Sequence, residues 1–172
     1  FTAGPAVLTV VFLLVQKFTA LKISDEVFRL FKHIFMIFIG INMFLFFAEI
    51  FKEFYSDNTH TLSMRYLFFG IDGHAKLSPY IWGSIAMNTT AMFIAYIPKL
   101  RNHQPTFVFG CLLAIVGIWV EKGMGMVIPG FIPTPIGDLV EYTPSGAEFF
   151  ISLGIWAAGA LIFTFMAKLA VA

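Results

Sequence analysis

Long apolar stretches without a charged residue are the feature that most constrains what this chain can fold into. Leu77 to Pro98 carry no charge over 22 residues, and Asn102 to Val120 carry none over 19. A helix needs about 20 mostly apolar residues to cross a hydrocarbon core about 30 Å thick. Only 12% of the whole chain is charged, against about 25% in soluble domains. The sequence therefore predicts an integral membrane protein.

Apolar stretches of this kind predict five membrane spans. Besides the two stretches above, the candidates are Phe1 to Gln16, Leu30 to Phe51 and Phe149 to Ala167. No span has the alternating pattern of a transmembrane barrel strand. The predicted fold class is therefore all-α, a polytopic transmembrane helix bundle, with residues 1–172 forming a single transmembrane helical domain.

A further charge-free segment, Gly123 to Gly137, contains three prolines and four glycines. Because each proline removes a backbone donor and fixes φ, a helix there should be broken repeatedly. We expect an ordered Gly/Pro-rich loop at the outer membrane surface, or a shallow re-entrant segment covered by protein. Through Pro144 the loop carries many apolar side chains that need cover. It is therefore expected to fold over the outer helix ends as a lid and to contact a partner subunit.

The distribution of basic residues predicts the orientation. With five alternating spans, seven Lys and Arg fall on one side and four on the other. The positive-inside rule places the richer side, with the carboxy terminus, in the cytoplasm. The long acidic segments 52–76 and 121–148 then face outward.

The chain ends suggest a piece of a longer protein. The first span begins without Met or a polar flank, and the last stops four residues after Lys168. We expect the chain to be the carboxy-terminal part of a longer membrane protein. A complete five-helix protein with a processed amino terminus is the alternative.

The second span carries a polar stripe. Asn42, Glu49 and Glu53 are spaced i, i+7 and i+11, which places each glutamate within about 20° of Asn42 on a helix. Intramembrane carboxylates usually face a bundle interior or a wet cavity, so the stripe indicates a proton path or a ligand-facing wall. The alternative is interhelical hydrogen bonding by Asn42 and Asn88, with the two glutamates reaching the outer headgroups.

Composition and spacing also bear on cofactors and nucleic acid. The single cysteine excludes an intrachain disulfide and a cysteine-ligated cluster. No two of the four histidines pair within the spans, as a bis-histidine haem would require, and His60 and His74 are too loosely spaced for a zinc site. We expect no haem, no metal and no covalently bound cofactor. A net charge of +1 without a basic tract makes nucleic acid an unsuitable partner.

Several runs resemble one protein family. The longest is Trp119 to Pro144, and the others are Glu49 to Tyr55, Tyr66 to Gly70, Gly73–His74 and Ile81 to Asn88. Together they resemble the polysulfide reductase/NrfD family of membrane subunits. Within it, they are most similar to the DsrP and HmcC type subunits of sulfur and sulfate metabolism.

The resemblance implies a function and partners. Such a chain would be a multi-pass protein of the cytoplasmic (inner) membrane of a prokaryote and a subunit of a respiratory quinone oxidoreductase complex rather than an enzyme alone. It would exchange electrons between the menaquinone pool and a ferredoxin-like iron–sulfur subunit, in complexes with multihaem cytochrome c subunits, and take part in proton transfer. It would carry no redox cofactor of its own, and its quinone pocket would lie toward the outer face.

Quinone chemistry couples two electrons to two protons, so it needs an apolar slot with hydrogen-bond donors and proton carriers near the carbonyls. The candidate quinone and proton-path residues are Asn42, Glu49, Glu53, His74, Asn88, Glu121, Lys122 and Tyr142. A helix-end ion pair is the alternative for Glu121 and Lys122. Two other functions stay open: a proton- or ion-translocating transporter, and a purely structural membrane anchor.

Overall fold

The computed structural model describes residues 1–19, 22–56, 61–131 and 145–171, and these residues fold into helices joined by short connections. The part of the chain so described contains no strand, only an isolated bridge between Ile71 and His74. The predicted all-helical class is thereby confirmed. In chain order the helices are α1 Ala3–Phe18, α2 Asp25–Ser56, α3 Thr61–Phe69, α4 Ser78–Tyr96, α5 Pro98–Asn102, α6 Gln104–Phe131 and α7 Gly146–Val171.

Three of these helices are long and apolar enough to cross a membrane: α2, the Gln104–Gly123 part of α6, and the Gly146–Leu169 part of α7. The membrane character is confirmed at this level, but the count of five spans is not. α1 has 16 residues, or about 24 Å at 1.5 Å per residue, which is short for a hydrocarbon core of about 30 Å. α4 has 19 residues, and its middle is polar, with Ser84, Asn88, Thr89 and Thr90.

The helices also extend past the apolar runs that identify them. α2 begins at Asp25, five residues before the predicted span, and ends at Ser56. Asp25 and Glu26 lie in its first turn, where acidic side chains interact favourably with the helix dipole. Charge-free length thus locates a span, while the helix ends depend on local capping.

The predicted Gly/Pro-rich loop does not hold for its first part, because Gly123 to Phe131 continue α6. A glycine in a helix costs only about 1 kcal/mol relative to alanine. Pro129 lies in the last turn, where few turns remain to be disrupted. Residues 132–144, which include the rest of the proposed lid, lie outside the described residues.

The chain divides into two compact units, Phe1–Glu141 and Tyr142–Ala172. In the second unit, α7 begins with a capping box. The Ser145 N–H donates to Glu148 Oε2 at 2.7 Å, and the Glu148 N–H donates to Ser145 Oγ at 3.3 Å. The helix has apolar side chains on all sides, as expected where lipid or other helices surround it.

In the first unit, α4 packs against both α2 and α6, and glycines permit the close approach. A Cβ at Gly110 of α6 would meet Ile94 Cγ2 of α4 at 2.9 Å, and a Cβ at Gly40 of α2 would overlap the Tyr96 hydroxyl. Small residues at such contacts let membrane helices pack through van der Waals contact. One buried core joins α1, α2, α4 and α6 around Phe35, Ile39, Ala91 and Phe107, and a second joins α2, α3 and α4 around Phe46, Tyr66, Leu67 and Ile81.

Two cavities lie at opposite ends of this first unit. One gathers the end of α1 with the starts of α2 and α6, including Lys32, and is called the Lys32 cavity below. The other gathers late α2 and α6 with α3, including Glu121, and is called the Glu121 cavity. Along α2, Arg29 of the Lys32 cavity and Glu49 of the Glu121 cavity are 20 residues apart. At 1.5 Å per residue this is about 30 Å, close to the thickness of a bilayer core.

Candidate functional site

The Glu121 cavity has a volume of about 330 Å³, within the range of about 300–1,000 Å³ typical of small-molecule sites. Its walls are mainly apolar side chains from α2, α3 and α4. Three charged residues, Glu49, Glu121 and Lys122, interrupt them. An apolar slot with a few convergent polar groups is the usual composition of a ligand pocket. The full lining is Phe46, Glu49, Met64, Leu67, Phe68, Ile81, Glu121, Lys122 and Gly125.

Glu121 is the most constrained polar residue of the cavity, with only 4% of its surface exposed. The Asn88 side-chain amide of α4 donates to Glu121 Oε2 at 2.8 Å, in a fully buried hydrogen bond. Lys122 Nζ lies 2.7 Å from Glu121 Oε1. A carboxylate removed from solvent in this way is costly unless its oxygens have partners. Here Oε2 accepts the Asn88 hydrogen bond, whereas Oε1 is buried and has the charge of Lys122 beside it but no well-directed hydrogen bond from a described residue.

Glu121 does not end its helix, as the interface alternative would require. Ten residues of α6 follow it, up to Phe131. The ion pair with Lys122 exists, but its two members differ sharply in environment. The Lys122 side chain is 58% exposed and the Glu121 side chain 3%. The pair therefore joins a buried carboxylate to a cation at the mouth of the cavity.

Gly117 makes room for the Asn88–Glu121 hydrogen bond. It lies one turn before Glu121 on α6, and a Cβ at this position would overlap Asn88 Oδ1. Asn88 Oδ1 itself is buried and accepts no hydrogen bond from any described residue. The Asn88 amide is therefore held at both ends by α6. Its oxygen packs against Gly117, and its nitrogen donates to Glu121.

Glu49 faces the same cavity from α2 but has a different environment. It is exposed, and its predicted partner in the stripe, Glu53, does not line the cavity. Glu53 Oε1 instead lies 3.6 Å from Lys52 Nζ, and its backbone carbonyl accepts a hydrogen bond from Thr61 Oγ1 at 2.9 Å. Of the polar stripe, only Glu49 belongs to the site.

The α3 wall is fixed by bonds to its neighbours. The Thr61 hydroxyl ties its first turn to α2, and the Trp82 indole N–H of α4 donates to the Phe68 carbonyl at 3.0 Å. After α3 the chain reverses through Asp72 and Gly73, whose φ values are 50° and 82°. This Asp-Gly pair has the positive φ at both positions that a type I′ turn requires. Met64, Leu67 and Phe68 are thereby held on the cavity side.

The remaining predicted residues do not join the cluster. Asn42 lies two turns before Glu49 on α2, and its side-chain Nδ2 is buried without a hydrogen-bond partner among the described residues. His74 follows the Asp-Gly turn and is exposed, outside the cavity lining. Tyr142 lies outside the described residues. The structure therefore brings together Glu49, Asn88, Glu121 and Lys122.

Several contributors escape sequence reasoning based on polar residues. Gly110, Ala114, Gly117 and Glu121 recur at i, i+4, i+7 and i+11 on α6, and all are buried. This spacing of small residues is the usual mark of a close helix contact in membranes, and it would have identified the buried face on which Glu121 lies. The apolar wall of α3 carried no such signal.

Among the residues that the structure describes, no three His, Cys, Asp or Glu side chains form a group that could hold a metal ion. The polar groups that line the cavity are the carboxylates of Glu49 and Glu121 and the ammonium group of Lys122, with the Asn88 amide bonded to Glu121 behind them. These groups hold and transfer protons or hydrogen-bond a carbonyl oxygen. No family model, curated protein or solved structure matches the chain, so the family resemblance stays a prediction.

Proposed function

We propose that this chain is a quinone-interacting membrane subunit of a respiratory oxidoreductase complex, of the polysulfide reductase/NrfD family and the DsrP/HmcC type. The observation that supports the proposal best is the Glu121 cavity. It combines apolar walls with a buried carboxylate that is hydrogen-bonded to Asn88 and lies beside the Lys122 ammonium group. A quinone needs this combination, since its ring is apolar and its two carbonyl oxygens take up protons on reduction.

Each polar residue has a distinct role in this proposal. Glu121 exchanges a proton with a quinone oxygen, and Asn88 orients the carboxylate through its 2.8 Å hydrogen bond. Lys122, at the cavity mouth, supplies positive charge beside the oxygens as negative charge develops on them. Glu49 is exposed on the same cavity and passes protons between the pocket and water.

The proposal extends to the arrangement in the membrane. α1 and α4 would span the bilayer with α2, α6 and α7, giving five spans, because α1 and α4 pack beside α2 and α6. The Glu121 cavity would open at the extracytoplasmic face of a prokaryotic inner membrane. Menaquinone would enter from the bilayer, and electrons would pass to or from an iron–sulfur subunit and multihaem cytochromes c. The chain would act as a subunit of this complex and bind no haem or metal itself.

Steady-state turnover of a menaquinone analogue by the purified complex tests the proposal. Glu121→Gln keeps the size of the side chain and an acceptor for Asn88, but removes the proton carrier. We expect turnover to fall about 100-fold, the lower end of what general acid–base catalysis contributes. Glu49→Gln should have a smaller effect that added diffusible buffer reverses. Glu53→Gln, one turn away and outside the lining, is the matched control.

Unchanged turnover in Glu121→Gln, in a complex that assembles with all its subunits, would remove the catalytic role. The chain would then be a structural anchor of the complex. If turnover is unchanged and proton flux into vesicles containing the protein falls, the transporter alternative takes its place.

A further inference from the structure

The Lys32 cavity is larger than the Glu121 cavity, at about 670 Å³, and the proposed quinone chemistry makes no use of it. Among the described residues, the cations Lys17, Arg29 and Lys32 line it together with one carboxylate, Asp25. The side-chain amides of Gln16, Asn102 and Gln104 add donors around the same space. The lining therefore has an excess of positive charge and hydrogen-bond donors.

The cations of the lining are weakly neutralised by the protein. Within the described part of the chain, neither Lys17 nor Lys32 lies within ion-pair distance of a carboxylate, and each instead lies over an aromatic ring. Lys32 Nζ is 5.5 Å from the centroid of the Phe107 ring, and Phe107 is 1% exposed. Arg29 lies 3.9 Å from a carboxylate oxygen of exposed Glu26, a contact that solvent screens strongly. Three cations drawn from two helices around one space favour an anion between them.

The cavity also has an apolar part. Leu13 of α1 and Phe28 of α2 lie beside the cations, and buried Phe107 of α6 lies below Lys32. Basic pockets between membrane helices are known to bind the headgroups of anionic phospholipids. A phosphate group would meet the cations while the glycerol and the first acyl carbons contact the apolar side chains.

We propose that the Lys32 cavity binds a phosphate-bearing anion between α1, α2 and α6. The chemistry is shared by a phospholipid headgroup and by free phosphate, and the experiment separates these two sources. The site is independent of the proposed quinone function, since it lies about 30 Å along α2 from Glu49.

The test uses the purified complex, stripped of lipid by repeated detergent exchange. Native mass spectrometry would count bound phosphatidylglycerol after titration, with zwitterionic phosphatidylcholine as the reference lipid. Inorganic phosphate, titrated with thermal stability as the readout, forms the second arm. The variants are Lys32→Gln and Lys17→Gln, and the control is Lys99→Gln. Lys99 lies on neighbouring α5 and outside the cavity lining.

We expect phosphatidylglycerol to bind in preference to phosphatidylcholine, and Lys32→Gln to weaken its binding about fivefold, the typical effect of one cation near a membrane surface. Lys17→Gln should act in the same direction. Because Lys17 is exposed, Lys17→Gln should assemble normally. It therefore still tests lipid binding at the cavity if Lys32→Gln does not assemble. Lys99→Gln should have no effect. A different result would identify free phosphate as the ligand. In that case inorganic phosphate stabilises the complex, the cavity variants lose this stabilisation, and phosphatidylglycerol binds no better than phosphatidylcholine. Equal losses in Lys99→Gln and the cavity variants, or no response to either probe, would overturn the proposal.

Discussion

The two cavities of the first unit differ in how they hold their charged groups. In the Glu121 cavity the central charge is 4% exposed and held by partners from α4 and α6. In the Lys32 cavity the cations are exposed or half-buried, and Lys17 and Lys32 contact aromatic rings instead of carboxylates. One end of the bundle thus has a buried carboxylate that is hydrogen-bonded across two helices, and the other has exposed or half-buried cations without a close carboxylate partner for Lys17 and Lys32 among the described residues.

This difference predicts where substitutions should disturb the fold. Breaking a buried hydrogen bond leaves a polar group unsatisfied and costs about 1–3 kcal/mol. Removing an exposed charge usually changes stability by less than about 0.5 kcal/mol. The Glu121 end should therefore be sensitive in both stability and function, whereas the Lys32 end should be sensitive only in ligand binding.

The largest effect is expected from Gly117→Val, which forces a branched side chain into the space of Asn88 Oδ1. Overpacking of this kind costs about 1–3 kcal/mol, and the Asn88–Glu121 hydrogen bond should be lost in addition. Equilibrium unfolding in mixed micelles would measure the change in the free energy of unfolding. Gly83→Val is the matched control, because a Cβ at Gly83 meets no atom within 4 Å. Equal losses in both variants would mean that valine in a helix, rather than the Asn88 contact, causes the change.

Glu121→Ala should lower the free energy of unfolding by about 1–3 kcal/mol, since it leaves the buried Asn88 amide without its acceptor. Glu49→Ala, on the same cavity but exposed, should change it by less than about 0.5 kcal/mol. The same equilibrium unfolding measurement compares the free energies of unfolding of Glu121→Ala and Glu49→Ala. A larger loss in Glu49→Ala would contradict the distinction between the buried and exposed carboxylates.

A double-mutant cycle between Asn88→Ala and Glu121→Ala measures the hydrogen bond itself. Polar interactions between membrane helices average about 0.6 kcal/mol and reach about 1.7 kcal/mol, and this buried bond should lie in the upper half of that range. A cycle of Asn42→Ala with Glu121→Ala should give no coupling, as Asn42 does not line the cavity. Strict additivity of Asn88→Ala and Glu121→Ala would show that the two side chains act separately.

The smallest effect is expected from Lys122→Gln. The Lys122 side chain is 58% exposed and its partner Glu121 is 3% exposed. Removing the ammonium group lets water reach Glu121 Oε1 from the side that Lys122 now covers, so we expect a cost of at most about 1 kcal/mol, as for solvent-screened pairs. Its effect on stability should therefore be well below that of Glu121→Ala, while quinone-linked turnover should fall. Unchanged turnover would make Lys122 a surface residue without a role in the reaction.

Charge-free length and polarity predicted the helical membrane class, and resemblance together with polar chemistry selected Glu49, Asn88, Glu121 and Lys122. The polar residues alone did not predict that Glu121 is buried, because the cause is the close contact of α4 and α6 around Gly117, which only the spacing of small residues on α6 indicates. Nor could it predict that α6 continues through Gly123 and Gly125, since glycines are tolerated in a helix that packing or membrane stabilises. Of the stripe on α2, Glu49 lines the cavity and Glu53 does not; the Thr61 hydroxyl instead donates to the Glu53 backbone carbonyl, a contact that no spacing in the sequence indicates.

The central claim is that a quinone binds beside Glu121, and photolabelling tests it most directly. A photoreactive menaquinone analogue would be bound to the purified complex, and the mixture would be irradiated. Mass spectrometry would then identify the labelled peptides. The account predicts labelling of α2 near Phe46, of α3 between Met64 and Phe68, and of α6 near Gly125. Excess unlabelled quinone should suppress that labelling, and Glu121→Gln should alter it. Labelling confined to other subunits, or to residues around the Lys32 cavity, would contradict a quinone site at Glu121.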